Sequence, residues 1–187
     1  ALRDYARDRG LEIVPGVMPI GYSNALLFHN PNLASGLPVR QQKFVIEADT
    51  ARLVPWVDVG LPNGGFEQHT GDNFPGFRFI DAPGQMSFAD TQVKHSGSTS
   101  VRFENFAQHS PQYGNARVSY WTRVRPFAQY HVSAWVKTDN LQPASSMNIS
   151  VLSNAGYNLA FNDLTIPSTA DWRKIDFTFN SLEADTV

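Results

Sequence analysis

Along residues 63–187 apolar and polar positions alternate with a period of two, in short runs broken by Asn-Gly, Ser-Gly, Pro-Gly and Asn-Ala-Gly turn signals. The runs predict strands at FRFI (77–80), TQVK (91–94), TSVRFEN (99–105), NARVSYWTRVR (115–125), YHVSAWVKTD (130–139), MNISVLSN (147–154), DLTIP (163–167) and WRKIDFTFN (172–180). Short antiparallel strands without helices between them are the profile of a β-sandwich or jelly roll. Residues 1–60 follow another pattern. ALRDYARDRG carries Leu2, Tyr5 and Ala6 at helical spacing, with Gly10 as a C-terminal stop. LEIVPGV follows as a short apolar run of the buried-strand type, and MPIGYSNALLFHNPNLASGLPVR as a long loop. Helix, glycine and buried strand form the αβ half of a parallel unit, and in a TIM barrel the loop after such a strand lies on the active face. KFVIEA predicts one more strand, and Pro55 and Pro62 stiffen the crossing to the second pattern. The expected fold is mainly β: a partial TIM-barrel segment over 1–60, then a β-sandwich over 61–187.

Alternation also sorts the faces. In YHVSAWVKTD, Tyr130, Val132, Ala134 and Val136 oppose His131, Ser133, Trp135 and Lys137. In ARVSYWTRVR, Val118, Tyr120, Thr122 and Val124 oppose Arg117, Ser119, Trp121 and Arg123. Each strand thus carries one tryptophan on its polar face. An indole among Arg, Ser, His and Lys suits a wet groove holding a flat apolar object. A pyranose ring is such an object, since its C–H face packs on an aromatic ring while its hydroxyls meet polar side chains. The other reading is a ring half-buried under a loop. Trp121, Trp135 and Arg123 are the strand candidates for this role, and Tyr113 and Tyr157 the loop candidates.

Composition narrows the function. The 187 residues are 42% apolar and 17% charged, which is globular, and suffice for one ordinary domain plus part of another. A net charge of −2 without a basic run gives no reason to expect a nucleic-acid or anionic-membrane partner. The absence of cysteine excludes disulfides, thiol catalysis and cysteine zinc sites. No apolar run reaches the ~20 residues of a membrane span. Ala1 opens inside a helical pattern and KIDFTFNSLEADTV stops just after a strand, so the chain reads as an internal piece of a longer polypeptide.

Two resemblances add to this. Residues 5–33, YARDRGLEIVPGVMPIGYSNALLFHNPNL, resemble the stretch of family 20-type glycoside hydrolases that runs YA-x-x-R-G-I-x-V-I-P-E-x-D-x-P-G-H and ends near P-x-L. Gly16 stands where that family shows an acidic residue, and Ile20-Gly21-Tyr22-Ser23-Asn24 replaces its PGH segment, so its catalytic acids do not carry over. Residues 62–187 resemble the carbohydrate-binding modules of the family 4/9 type, through NGGFE, HSGSTSVRFEN, the P-x-x-x-Y turn, YHVSAWVK and WRKIDFTF in the family's order. Phe77 stands for the usual tryptophan near the start, and the chain stops before the Gly-rich turn and Asp-bearing strand that close the family's sandwich. This resemblance implies a jelly roll that binds polysaccharide or oligosaccharide and travels with a glycoside hydrolase, the remainder of the same polypeptide. It also implies an extracellular or periplasmic bacterial setting. Glu67 matches a residue of the family's structural calcium site, which backbone oxygens near His95-Ser96-Gly97 would help complete.

No catalytic set is defensible. Glu12, Glu47, Asp49 and Asp58 lack the strand-end context of paired glycosidase carboxylates. Asn24 and His29 could line a sugar site at a barrel mouth or simply make turn hydrogen bonds. The expected function is sugar binding by a module inserted in, or appended to, a glycoside hydrolase, tethering it to its polymer. The competing expectation is a structural or protein-interaction sandwich packed on the barrel.

Overall fold

The computed structural model describes residues 2–11, 27, 36–56, 59–106, 116–143 and 147–187. Helix α1 (Leu2–Arg7) has Asp4 in its first turn and Arg7 in its last, complementing the helix dipole, and Arg7 pairs with Asp4 at 3.3 Å. Gly10 takes φ +64° just past its end, where a left-handed residue stops a helix. The expected buried strand begins at Leu11, which is exposed, and its remaining residues, with Asn24 and His29, lie outside the described residues. Glu12 and Asp58 lie outside them too.

KFVIEA forms strand β1 (Phe44–Glu47) as expected, and an unforeseen partner, β2 (Thr50–Leu53), folds back on it. Ala48 and Asp49 make the two-residue turn, with Ala48 at φ +52°, the sign that hairpin turns of right-handed twist require.

From residue 61 on the chain is mainly β, an arrangement consistent with a β-sandwich. Strands β3 (Phe79–Ile80) and β6 (Val118–Ser119) pair, as do β4 (Ser87–Asp90) and β5 (Ser100–Phe103). Strand β8 (Asn148–Leu152) pairs with β9 (Asn158–Asp163), and the longest ladder joins β7 (Gln129–Thr138) to β10 (Ala170–Asn180). All are antiparallel. On β7 the alternation holds throughout: Tyr130, Val132, Ala134 and Val136 are half-buried, while His131, Ser133, Trp135 and Lys137 are exposed. The inner side of this ladder makes the core. Phe179 stacks on Tyr130 at 5.2 Å, and Val124, Leu159, Ala160 and Ala184 close around it. Leu182 and Val187 complete the cluster from the segment after β10. That segment runs beside residues 122–124: the Thr122 and Val187 amides donate to each other's carbonyls at 2.9 and 3.0 Å, and the Val124 amide to Asp185 at 2.9 Å.

Two expected strands are displaced. TQVK is a turn, because the Asp90 carboxylate accepts from the amides of Gln92 and Val93 at 2.8 and 2.9 Å and bends the chain just after β4. Burial alone would push the Asp90 carboxyl up; those two amides, with Arg102 at 3.0 Å, outweigh it and hold it below the usual range. DLTIP is likewise no strand beyond Asp163: the Ile166 amide turns back to the Leu164 carbonyl at 2.9 Å, burying both side chains, and NLAFND before it pairs instead. Among the described residues, NARVSYWTRVR contributes only Val118–Ser119 to a ladder, plus a bridge from Arg123 to Thr186.

The segment before residue 61 is bound to this body. The Arg40 amide donates to the Phe127 carbonyl at 2.7 Å, and the Arg40 guanidinium lies over the Phe127 ring. Fully buried Asn180 donates to the Pro38 carbonyl at 3.0 Å and accepts from the Leu182 amide at 2.8 Å. Among the described residues no helix is long and apolar enough to cross a membrane.

Candidate functional site

The outer face of the β7–β10 ladder gathers aromatic and polar groups. Trp135 stands on it 46% exposed, opposite Lys174 in the register. Trp172 joins from the irregular start of β10, where the register shifts between Ala170 and Arg173. The His95 ring stacks on Trp135 with centroids 3.8 Å apart and meets Trp172 edge-on at 5.7 Å. Around these rings the charges are already paired. Lys137 donates to Asp171 at 2.8 Å, and Asp176 receives Lys174 at 3.0 Å and His131 at 2.8 Å. The Lys137 ammonium holds the Asp171 carboxyl below its ordinary range, and Lys174, more than His131, does the same for Asp176. The face is therefore a flat apolar patch with a nearly neutral rim of donors and acceptors.

His95 reaches Trp135 because a loop carries it there. That loop leaves β4 at the Asp90 turn and is pinned at its far end by Glu67. The Ser98 amide donates to Glu67 Oε2 at 2.8 Å, and the Ser98 hydroxyl donates to the same oxygen. The hydroxyl first and then the amide hold the Glu67 carboxyl below the usual carboxylate range. Gly97 has φ +67°, and a Cβ there would overlap the Glu67 carboxylate. The family resemblance implies Glu67 as one oxygen ligand beside residues 95–97; the structure brings Glu67 to that loop. There it is one carboxylate facing hydrogen-bond donors, and among the described residues no three His, Asp or Glu side chains gather as a metal site.

Trp121 lies two residues past β6 and is 57% exposed. The Arg78 guanidinium lies over its ring at 3.7 Å, and that of Arg117 lies over exposed Phe79 at 5.0 Å. Arg123, also exposed, follows two residues after Trp121 and bridges to Thr186. Tyr157, 68% exposed, sits in the turn whose Asn154 amide donates to the Thr186 carbonyl at 3.1 Å. The structure thus joins Trp121, Arg123 and the Tyr157 turn through one strand-like tail, and sets Trp135 on the β7–β10 face. Tyr113 lies outside the described residues.

Sequence reasoning passed over Trp172, His95 and Arg78. Trp172 carried a signal, since it opens a strongly patterned strand that pairs with Trp135's own. His95 and Arg78 carried none, because each reaches its indole from a distant loop or bend.

Residues 61–186 match a family described as Carbohydrate binding domain. No curated protein and no solved structure matches the chain.

Proposed function

The chain belongs to the carbohydrate binding domain family, and from that premise we propose that it holds a neutral polysaccharide or oligosaccharide on the outer face of the β7–β10 ladder. The observation that carries this reading is Trp135, an exposed indole whose stacked His95 also meets Trp172, ringed by paired charges. A pyranose offers a C–H face to the indole and hydroxyls to the rim. Lys137 and Lys174 donate to ring oxygens and hydroxyls, and Asp171 and Asp176 accept from hydroxyls. The incoming ring takes the place of the His95 imidazole, so one flat contact replaces another. Because the rim's charges balance, no net charge is asked of the ligand.

Migration through gels containing soluble β-glucan, xylan or laminarin tests this. Retardation is expected with at least one polymer, and Trp135→Ala is expected to weaken it about tenfold, the scale of one lost aromatic contact. Folded protein that no polymer retards supports instead a sandwich that serves only in packing or protein contact.

The same reading extends to finer points. Residues 1–60 are part of a TIM-barrel glycoside hydrolase, supported by the α1–Gly10 stop and the family 20-like stretch, and the module is a jelly roll in an extracellular or periplasmic enzyme. A structural calcium belongs to it at Glu67. Calcium takes six to eight oxygens, so carbonyls of the 95–97 loop would join one Glu67 carboxylate and displace the Ser98 donors. Added calcium is then expected to raise the melting temperature and a chelator to lower it; a midpoint indifferent to both removes calcium from the account.

A further inference from the structure

Three exposed arginines lie on the segments that carry Trp121: Arg78 over its ring, and Arg117 and Arg123 before and after it in sequence. Of the other described cations, Arg7, Arg52, Arg102, Lys137 and Lys174 pair with carboxylates, while Arg9, Arg40 and Arg125 lie over aromatic rings. Among the described residues no carboxylate pairs with Arg78, Arg117 or Arg123. Two of the three lie over aromatic rings, at 3.7 and 5.0 Å. Asp185, next to the Thr186 that bridges to Arg123, accepts from Asn154 at 3.2 Å, and buried Asp81 lies beside Arg117, donating its amide to the Arg117 carbonyl at 2.9 Å. In a chain of net charge −2 this local excess of positive charge is a feature of the strip and not of the composition.

We propose that this strip is a second saccharide site, and that its ligand is a carboxylated, uronate-containing polysaccharide. It shares with the reading above the premise of carbohydrate binding but uses none of its residues. A guanidinium lying over a ring has its N–H groups directed sideways in its own plane, the geometry that receives a carboxylate on two parallel hydrogen bonds. A uronate carries its carboxylate at the edge of the ring. Packed against the exposed part of Trp121 next to Arg78, the sugar brings that group to the edge of the guanidinium that lies over the ring. Arg117 directly precedes β6 and Arg123 bridges to Thr186, so the ligand that reaches both is a chain of several sugars and not a single one. Tyr157 extends it past Thr186. A neutral sugar would leave three exposed guanidiniums without a role. A nucleic acid would also stack and carry charge, but its affinity grows with the number of phosphates neutralised, and three guanidiniums on an acidic chain are few for it.

The test is calorimetric titration of the whole chain with polygalacturonate, with its fully methyl-esterified form, with a neutral xylan and with a single-stranded oligonucleotide, at low and high salt. The acid form is expected to bind and to weaken with salt, and its ester to bind at least about tenfold more weakly, since each charge-assisted pair is worth about that factor or more. Arg78→Gln and Arg123→Gln are each expected to weaken polygalacturonate about tenfold and to leave xylan unchanged. Arg123→Lys, which keeps the charge and the fold but loses the fork, is expected to fall between. Trp135→Ala should leave polygalacturonate binding intact even where it abolishes xylan binding. The proposal is overturned if acid and ester bind alike, if the Arg78→Gln/Arg123→Gln double variant binds as the unaltered chain does, if Trp135→Ala removes polygalacturonate binding, or if the oligonucleotide binds more tightly than the uronan.

Discussion

Phe179→Ala is expected to lower folding stability by about 3–5 kcal/mol, the range for removing a buried aromatic ring from a close-packed core. Phe179 is 4% exposed, stacks on Tyr130 at 5.2 Å, and is ringed by Val124, Leu159, Ala160 and Ala184. Three of those neighbours are alanine or valine, too small to swing into the space, so the cavity stays open. The register pairs Phe179 with Tyr130 directly, so the truncation also strips one side from that ring. Against a typical total of about 5–15 kcal/mol this is a large fraction. A thermal melt should show the midpoint lowered by roughly 10 °C for a chain of this size. A fall of less than about 1 kcal/mol would mean that the inner face of β7–β10 is not the stabilising core.

Gly97→Ala should act on both stability and site. The backbone at Gly97 has φ +67°, which costs a residue with a Cβ about 1–2 kcal/mol by itself. The new methyl would also meet the Glu67 carboxylate, so Glu67 must leave Ser98 and the pinned end of the His95 loop comes free. The combined loss is expected at about 2–3 kcal/mol, measured by denaturant unfolding. The same release should change tryptophan fluorescence, because His95 stacks on Trp135 at 3.8 Å. Glu67→Ala separates the two effects: it unpins the loop without backbone strain, so the fluorescence change should persist while the stability loss shrinks. A Gly97→Ala protein with unaltered emission would show that Glu67 does not position His95.

What the sequence alone revealed follows from how locally each feature is encoded. The two faces of β7 were legible because period-two alternation is a property of consecutive residues, and Trp135 fell on the exposed side as expected. Displacement of the strand expected at TQVK had a local cause too, the Asp90 side chain capping two amides, but a turn made by one aspartate is silent in a hydrophobicity pattern. DLTIP misled because Leu164 and Ile166 alternate and are buried, yet the backbone between them turns. The company of the indoles was not local. Arg78 reaches Trp121 only once β3 has paired with β6, and His95 reaches Trp135 only through a loop held by Glu67 from 31 residues away in sequence. Burial of Asn180 under Pro38 spans 142 residues and had no signature in either stretch.

The tail after β10 has a consequence for the order in which the molecule is made. Residues 185–187 lie against residues 122–124 as a strand would, and Leu182, Ala184 and Val187 fill the core around Phe179. Synthesis proceeds from the N-terminus at roughly 5–20 residues per second, so the partners of this tail are exposed to the cytosol or a translocation channel before the tail exists. Leu159, Phe179 and the flank of residues 122–124 stay uncovered until residues 182–187 have been made. The last seven residues described therefore act as a latch on a nascent chain. A product ending near Asn180 would present chaperones with an apolar ladder and the open flank of residues 122–124, which residues 181–187 otherwise cover.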